Sequence, residues 1–179
     1  MATLRPLRQY DERDVINLFA YSGSLPVNKG TVVKIQGDGW KNTDELQSLG
    51  SVGASFGNTV SERYGVAAKV AAAGSGDTVL GILLYDVKET DENGEKLIFN
   101  PRKAAEMGVA VSGQAVPVLT KGIVLYSGAV LAADAPTAGA SIYSDANGEL
   151  TTTNGGGTKV GIALGKKDSN NHVLVKIDL

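Results

Sequence analysis

ASIYSDANGELTTTNGGGTKVGIALGKKDSNNHVLVKID, residues 140–178, is the stretch of sequence that decides the fold. It contains four short apolar segments, Ala140–Ser144, Glu149–Thr153, Thr158–Leu164 and His172–Asp178. Between them, Asp145-Ala146-Asn147-Gly148 is a tight hairpin sequence and Lys167–Asn171 is a polar turn. Closely spaced short strands with turns between them are typical of β-sandwiches and small β-barrels.

The same pattern extends towards the N-terminus. The further predicted strands are Val15–Tyr21, Gly30–Gln36, Val66–Ala72, Val79–Lys88 and Val116–Tyr126. Asn93-Gly94 predicts a type I′ hairpin turn. A short helix is predicted over Pro101–Met107, because Asn100 is a good N-cap and Pro101 suits the first helical position. We therefore predict an all-β fold, a small antiparallel β-barrel or sandwich with one short helix and an extended N-terminal arm.

The chain divides into this arm, residues 1–13, and a single β domain, residues 14–179. The arm has neither helical nor strand periodicity, and Pro6 keeps the preceding Arg5 extended. The β domain includes a long loop excursion at 41–62, which is polar and interrupted by glycines. Long loops in compact domains are often binding elements. Trp40, the single tryptophan, stands at the entrance to this loop, and we expect it at the edge of the core.

Two segments of the chain resemble each other. Gly76–Leu84 reads GDTVLGILL and Gly157–Leu164 reads GTKVGIAL, so each places Gly-Ile before two aliphatic residues and after a Gly/Thr turn. Two explanations stay open at this point: related strands on either side of one barrel, or chance.

Composition excludes several classes of function. The 17 Lys+Arg and 19 Asp+Glu residues give a net charge of -2, which argues against a dedicated nucleic-acid binder. The chain has no cysteine and a single histidine, His172, so thiolate metal sites and His-rich zinc sites are excluded. No apolar run is long enough for a membrane span, and the start lacks the apolar core of a signal peptide. We expect a soluble protein made in the host cytoplasm.

The residues predict no catalytic, cofactor or metal site. His172 lies in a turn, and no segment of the chain resembles the nucleophile elbow that a Ser-His-Asp site would need. An acidic cluster in residues 86–95 lacks the spacing of a calcium-binding EF-hand, and Gly50-Ser51-Val52-Gly53 lacks the Lys-Ser/Thr of a phosphate-binding loop. We therefore predict that the protein is not an enzyme and uses no cofactor.

An ordered set of C-terminal motifs resembles the capsid decoration (cement) proteins of tailed bacteriophages. The motifs are VPVLTKGIV at 116–124, GASIYSDANGELTT at 139–152, KVGIAL at 159–164 and VLVKI at 173–177. In that family a strand, a D-x-x-G-x-hydrophobic-T hairpin, a V-G-x-A-L strand and an apolar last strand follow in this order. The resemblance covers roughly residues 65–179. The excursion at 41–62 and the predicted helix lie outside the simple pattern.

The resemblance implies a structural virion protein that binds the outer surface of the phage head and stabilises contacts between major capsid proteins. It implies a homotrimer, with a homodimer as the alternative, and no direct contact with nucleic acid or membrane. Two interpretations of residues 1–13 stay open from the residues alone: a frayed terminus, as is common at chain ends, or an arm that becomes ordered on a partner. From spacing and composition, independently of the motifs, we predict the second, with the arm binding the capsid. Leu, Tyr and Arg spaced along an extended segment are typical of interfaces. The predicted capsid-binding residues are Leu4, Arg5, Leu7, Arg8 and Tyr10.

Two other hypotheses fit the composition. One is another virion β domain, from a tail tube, fibre or baseplate, which would self-assemble into rings or rods. The other is a carbohydrate-binding module, which would need an exposed platform built from Trp40 and tyrosines. The sequence shows no clustered pair of aromatic residues for such a platform.

Overall fold

A computed structural model describes residues 3–6, 14–40 and 68–179. The strands are β1 (Thr3–Pro6), β2 (Val15–Tyr21), β3 (Val32–Gln36), β4 (Lys69–Ala72), β5 (Gly81–Leu83), β6 (Asp86–Lys88), β7 (Val109–Val111), β8 (Ala115–Leu119), β9 (Lys121–Ser127), β10 (Ser141–Ser144), β11 (Leu150–Thr151), β12 (Gly161–Ala163) and β13 (His172–Asp178). The helices are a 3-10 turn at Leu97–Phe99, α1 (Pro101–Met107) and α2 (Ala129–Asp134). The predicted excursion at 41–62 lies outside the described residues.

Five strands form a closed barrel in the order β2-β4-β3-β5-β8. Its pairs are antiparallel except β2 with β4, which is parallel. Because side chains alternate across a strand, neighbouring residues serve different cores. Val33 and Leu83 point into the barrel, whereas Val32 and Ile82 join the cluster outside it. The all-β prediction with a small barrel is confirmed.

The apolar cluster outside the barrel, which includes Val32 and Ile82, lies between the barrel and a six-stranded antiparallel sheet. The strand order of this sheet is β1-β9-β13-β12-β10-β11. The hairpin of β10 and β11 is also hydrogen-bonded to the barrel. Val32 N–H donates to the Gly148 carbonyl at 2.8 Å, and Ser144 Oγ donates to the Ala73 carbonyl at 3.1 Å. Barrel and sheet are therefore held together by a shared apolar layer and by backbone hydrogen bonds.

The chain passes from the barrel to the sheet within one predicted strand. Val116–Tyr126 is divided at Thr120 into β8 and β9, which belong to different sheets. The Thr120 N–H donates to the Asp14 carbonyl at 2.8 Å, and so fixes the crossing point. The predicted strand Val79–Lys88 is divided in the same way into β5 and β6.

The two similar segments do not lie in one barrel. The Gly81-Ile82 pair begins β5 of the barrel, and the Gly161-Ile162 pair begins β12 of the sheet. In both, glycine allows a close approach of the neighbouring strand. A β-carbon at Gly161 would collide with the backbone of β13, and one at Gly81 with the backbone of β8.

The helix predicted over Pro101–Met107 is confirmed as α1. The Asn100 side chain accepts a hydrogen bond from Lys103 N–H at 3.1 Å, and Gly108 ends the helix with a φ of 61°. The structure adds a second short helix, α2, which the sequence analysis missed. It has no side-chain N-cap, because Gly128 occupies that position.

Three loops share one hairpin geometry: Asp91–Glu95, Asp145–Glu149 and Asp168–His172. In each, the first aspartate accepts hydrogen bonds from the backbone N–H groups two and four residues later. The fourth residue of each loop has a positive φ. The type I′ prediction at Asn93-Gly94 is wrong, because Gly94 has a positive φ and Asn93 does not. These loops are type I turns followed by one left-handed residue.

Candidate capsid-contact surface

The N-terminal strand β1 belongs to the chain's own sheet. Thr3–Pro6 pairs antiparallel with β9, with Leu4 opposite Tyr126 and Arg5 opposite Leu125. Alternation along the strand separates the two predicted contact residues that the structure describes: Leu4 is 3% exposed within the core, whereas Arg5 is exposed to solvent. The other predicted contact residues, Leu7, Arg8 and Tyr10, lie outside the described residues.

Gly30 leaves space for β1 at the point where Leu4 enters the core. Gly30 has a φ of 90°, and a β-carbon there would stand 3.2 Å from the Thr3 carbonyl carbon and 3.3 Å from the Tyr126 ring. The absence of a side chain therefore lets β1 cross close to the barrel. Tyr126 is fully buried, and its hydroxyl accepts a hydrogen bond from Leu150 N–H at 3.0 Å.

β1 forms one edge of the six-stranded sheet in the described part of the chain. β1 ends the strand order, and among the described strands none pairs with its far side. The opposite edge, β11, is covered by α2: the Asp134 carboxylate accepts from Thr151 Oγ1 and Thr152 N–H, both at 2.7 Å. An uncovered edge presents backbone donors and acceptors to a partner strand. Arg5 projects from this edge strand.

Seven other large apolar side chains of the described residues are exposed, and sequence reasoning had not singled out most of them. They are Leu18, Ile35, Trp40, Tyr85, Phe99, Leu164 and Leu179. Trp40 is 49% exposed and so lies further out than the core edge expected for it. Tyr85 lines a cleft of about 330 Å³ beside α1, together with Asn17 and Pro117. Leu18 lies in the register irregularity of β2 between Ile16 and Phe19, which periodicity alone does not show.

The polar side chains of the described residues serve loops and strand ends. His172 Nδ1 lies 3.3 Å from Asp168 Oδ2 within one hairpin. The hydrogen bond from His172 N–H is the main cause that lowers the pKa of Asp168. In the ranges 3–6, 14–40 and 68–179 no group of three or more His, Asp or Glu is placed to hold a metal ion. Within those ranges, too, no helix has the length and apolar character to cross a membrane.

Comparison with known proteins gives one relation. A family model described as phage cement protein matches residues 89–179, more than half of the chain. No curated protein and no solved structure matches. The matched segment contains β7 to β13, hence every strand of the six-stranded sheet except β1. It also contains each C-terminal motif that resembles capsid decoration proteins. The chain therefore belongs to the phage cement protein family, whose members are structural proteins of the virion and not enzymes.

Proposed function

We propose that this protein decorates the outer surface of the assembled phage head and stabilises contacts between major capsid proteins. The observation that carries the proposal is the family match over residues 89–179, which form most of one continuous sheet. The proposed partners are the major capsid protein and further copies of this chain, as a homotrimer or alternatively a homodimer. Family membership favours this function over a tail tube, fibre or baseplate domain.

Such a protein stabilises a shell by binding several capsid subunits at once. Each contact after the first is made at a high effective concentration, so individually weak contacts give strong attachment. The complete site exists only in the assembled lattice. We therefore expect tight binding to expanded shells and little binding to free capsid subunits.

We place one of these contacts at the N-terminal segment. No described strand pairs with the outer edge of β1, and strand addition there would supply main-chain hydrogen bonds without a pocket. Arg5 on this strand is exposed and can meet a carboxylate of the partner. Leu7, Arg8 and Tyr10 extend the same proposed contact beyond the described strand.

Charge reversal at Arg5 tests this contact without disturbing the core. We expect Arg5→Glu to bind expanded shells about tenfold more weakly, equivalent to losing about 1.4 kcal/mol. The matched control is Arg102→Glu on α1, where the side chain is 90% exposed. Binding is measured by cosedimentation of each purified variant with undecorated shells, and thermal unfolding establishes that both variants are folded. Deleting residues 1–13 is less selective, because it also removes Leu4 from the core.

Equal binding of Arg5→Glu and the wild type would contradict the proposed role of the arm, while leaving the cement function intact. The function itself is tested by mass spectrometry and imaging of purified virions. Hundreds of copies on the head are expected. Localisation to the tail, or rings and rods of the free protein, would contradict decoration of the head.

A further inference from the structure

The groove occupied by β1 is a binding site for an extended strand that is built entirely by other parts of the chain. Its wall is the edge of β9, residues Val124–Ser127, and its floor is formed by Gly30 and the Tyr126 ring. β1 fills this groove with four residues, and its Leu4 side chain is buried. We propose that β1 is exchanged between copies of this chain, so that the β1 of one copy occupies the β9 groove of another.

The attachment of β1 is small compared with that of the other strands at β9. On its other side β9 pairs with β13 over seven residues, from Lys121–Asp178 to Ser127–His172. β1 pairs over four residues, and its loss breaks no other pairing between the described strands. Short terminal elements with few buried contacts open at a low free-energy cost, without global unfolding. Opening exposes both the β9 edge and the space for Leu4, which a second copy can fill.

The connection between β1 and β2, residues 7–13, has more residues than its own groove requires. Pro6 lies opposite Val124, and the Asp14 carbonyl accepts from Thr120 N–H, so the two ends of the connection lie about 13 Å apart along β9. Residues 7–13 span up to about 25 Å when extended. The connection is thus about twice as long as the groove in its own chain requires. The same register and the same burial of Leu4 are available in a neighbouring copy.

The chain's lack of cysteine allows a direct test of which copy supplies β1. Thr3 and Ser127 lie directly opposite each other on the face away from Leu4 and Tyr126. Opposite residues in an antiparallel pair have Cα atoms about 4.5–5.5 Å apart, within the range for a disulfide. The test variant is Thr3→Cys/Ser127→Cys. The matched control is Ser127→Cys/His172→Cys, which uses the same acceptor position and joins β9 to β13.

Each full-length variant is incubated reduced at low and high concentration, oxidised, and run on a denaturing gel without reductant. We expect Thr3→Cys/Ser127→Cys to give disulfide-linked oligomers whose fraction rises with concentration. The control pair closes within single chains, and the single variant Ser127→Cys reports accidental cross-linking. The second pair Arg5→Cys/Leu125→Cys repeats the test if the first variant does not fold.

Closure of both test pairs within single chains at every concentration would overturn the exchange. Persistent free thiols in both test pairs, with the control pair closed, would also overturn it, because β1 would not be paired with any copy. The inference concerns contacts between copies of this chain in solution. It is therefore decided separately from binding to a capsid.

Discussion

The same Tyr-Ser-Gly motif ends one strand of the barrel and one strand of the sheet. It is Tyr21-Ser22-Gly23 at the end of β2 and Tyr126-Ser127-Gly128 at the end of β9. In each, the tyrosine ring packs against the glycine two residues later: a β-carbon would stand 2.7 Å from Tyr21 Cζ at Gly23 and 3.0 Å from Tyr126 Cζ at Gly128. In each, the hydroxyl meets the backbone of another strand, Ala72 in β4 or Leu150 in β11. The Gly-Ile starts of β5 and β12 form a second such pair.

The difference between the two regions is closure. The barrel has no open edge, whereas the sheet ends at β1 on one side and at β11 on the other. Four of the five barrel strands lie before residue 89, and the sheet lies almost entirely within the family match. The family match therefore covers most of the sheet, and β8 is the one barrel strand that it includes. The same local motifs thus occur in a closed barrel and in a sheet that has two edge strands.

The largest expected effects come from the two Gly-Ile strands. Gly161→Ala places a methyl group against the Lys176 carbonyl oxygen, and Gly81→Ala places one against the Leu119 carbonyl oxygen. A backbone oxygen cannot rotate away, so we expect each variant to lose about 3 kcal/mol of unfolding free energy in urea titrations. The control is Gly165→Ala, because, apart from the chain neighbours, no atom of the described residues lies within 4 Å of its added β-carbon.

A loss below 1 kcal/mol at either position would contradict the close approach there. A large loss at Gly161 with a small one at Gly81 would show that the barrel relaxes where the sheet does not. That result would separate the two regions by rigidity as well as by closure.

Removing the two tyrosine hydroxyls gives the next largest effect. Burial raises the pKa of both tyrosines, so each hydroxyl is neutral, and Tyr126 is fully buried whereas Tyr21 is 6% exposed. Tyr126→Phe leaves the Leu150 N–H without its partner inside the core, at a cost of about 2 kcal/mol. For Tyr21→Phe we expect about 1 kcal/mol, because water reaches the site more easily. The same urea titrations measure both, and a larger loss at Tyr21 would contradict this order.

Much of the fold could be predicted because short strands with turn residues between them have a strong local signal. β13 and α1 have the bounds that the sequence predicts, since β13 begins directly after the polar turn at Asp168 and α1 ends at a capping glycine. Assignment of strands to sheets could not be predicted. Burial alternates from Val116 to Val118 and again from Gly122 to Tyr126, and only Leu119, buried next to Val118, departs from the alternation at the crossing. In the sequence, one more aliphatic residue in an apolar segment does not indicate a change of sheet. The crossing depends on a hydrogen bond to Asp14, which is distant in sequence.

The candidate site was predictable only in part. The Leu and Arg residues along the N-terminus indicate that these side chains make contacts. Composition does not show whether each side chain contacts its own chain or a partner. The structure buries Leu4 in its own core because Gly30 and Tyr126, far along the sequence, form a place for it. Helix α2 was missed because its residues AVLAAD continue an apolar strand pattern and lack a side-chain cap. Such features depend on contacts between distant residues, which periodicity does not contain.

The smallest expected effect concerns ionic contacts at the loops of the two regions. In the barrel, hydrogen bonds from Lys34 Nζ at 2.7 Å and Gly74 N–H at 2.6 Å lower the pKa of Asp77. In the sheet, the His172 N–H lowers the pKa of Asp168. A carboxyl group with a lower pKa in the folded state stabilises the fold above its unfolded pKa of about 4. This stabilisation is lost as pH falls through the folded pKa.

Asp77→Asn should therefore lower the unfolding free energy at pH 7 by less than about 1 kcal/mol, because the Lys34 pair is partly exposed. The difference in unfolding free energy between variant and wild type should shrink progressively below about pH 4, because the wild-type carboxyl group becomes protonated and is then neutral like asparagine. Asp168→Asn should show the same sign and the same pH window. Urea midpoints at pH 7 and pH 3 measure both variants. A difference that persists unchanged at pH 3 would contradict a role for the carboxylate charge, because only the charged form is lost at that pH.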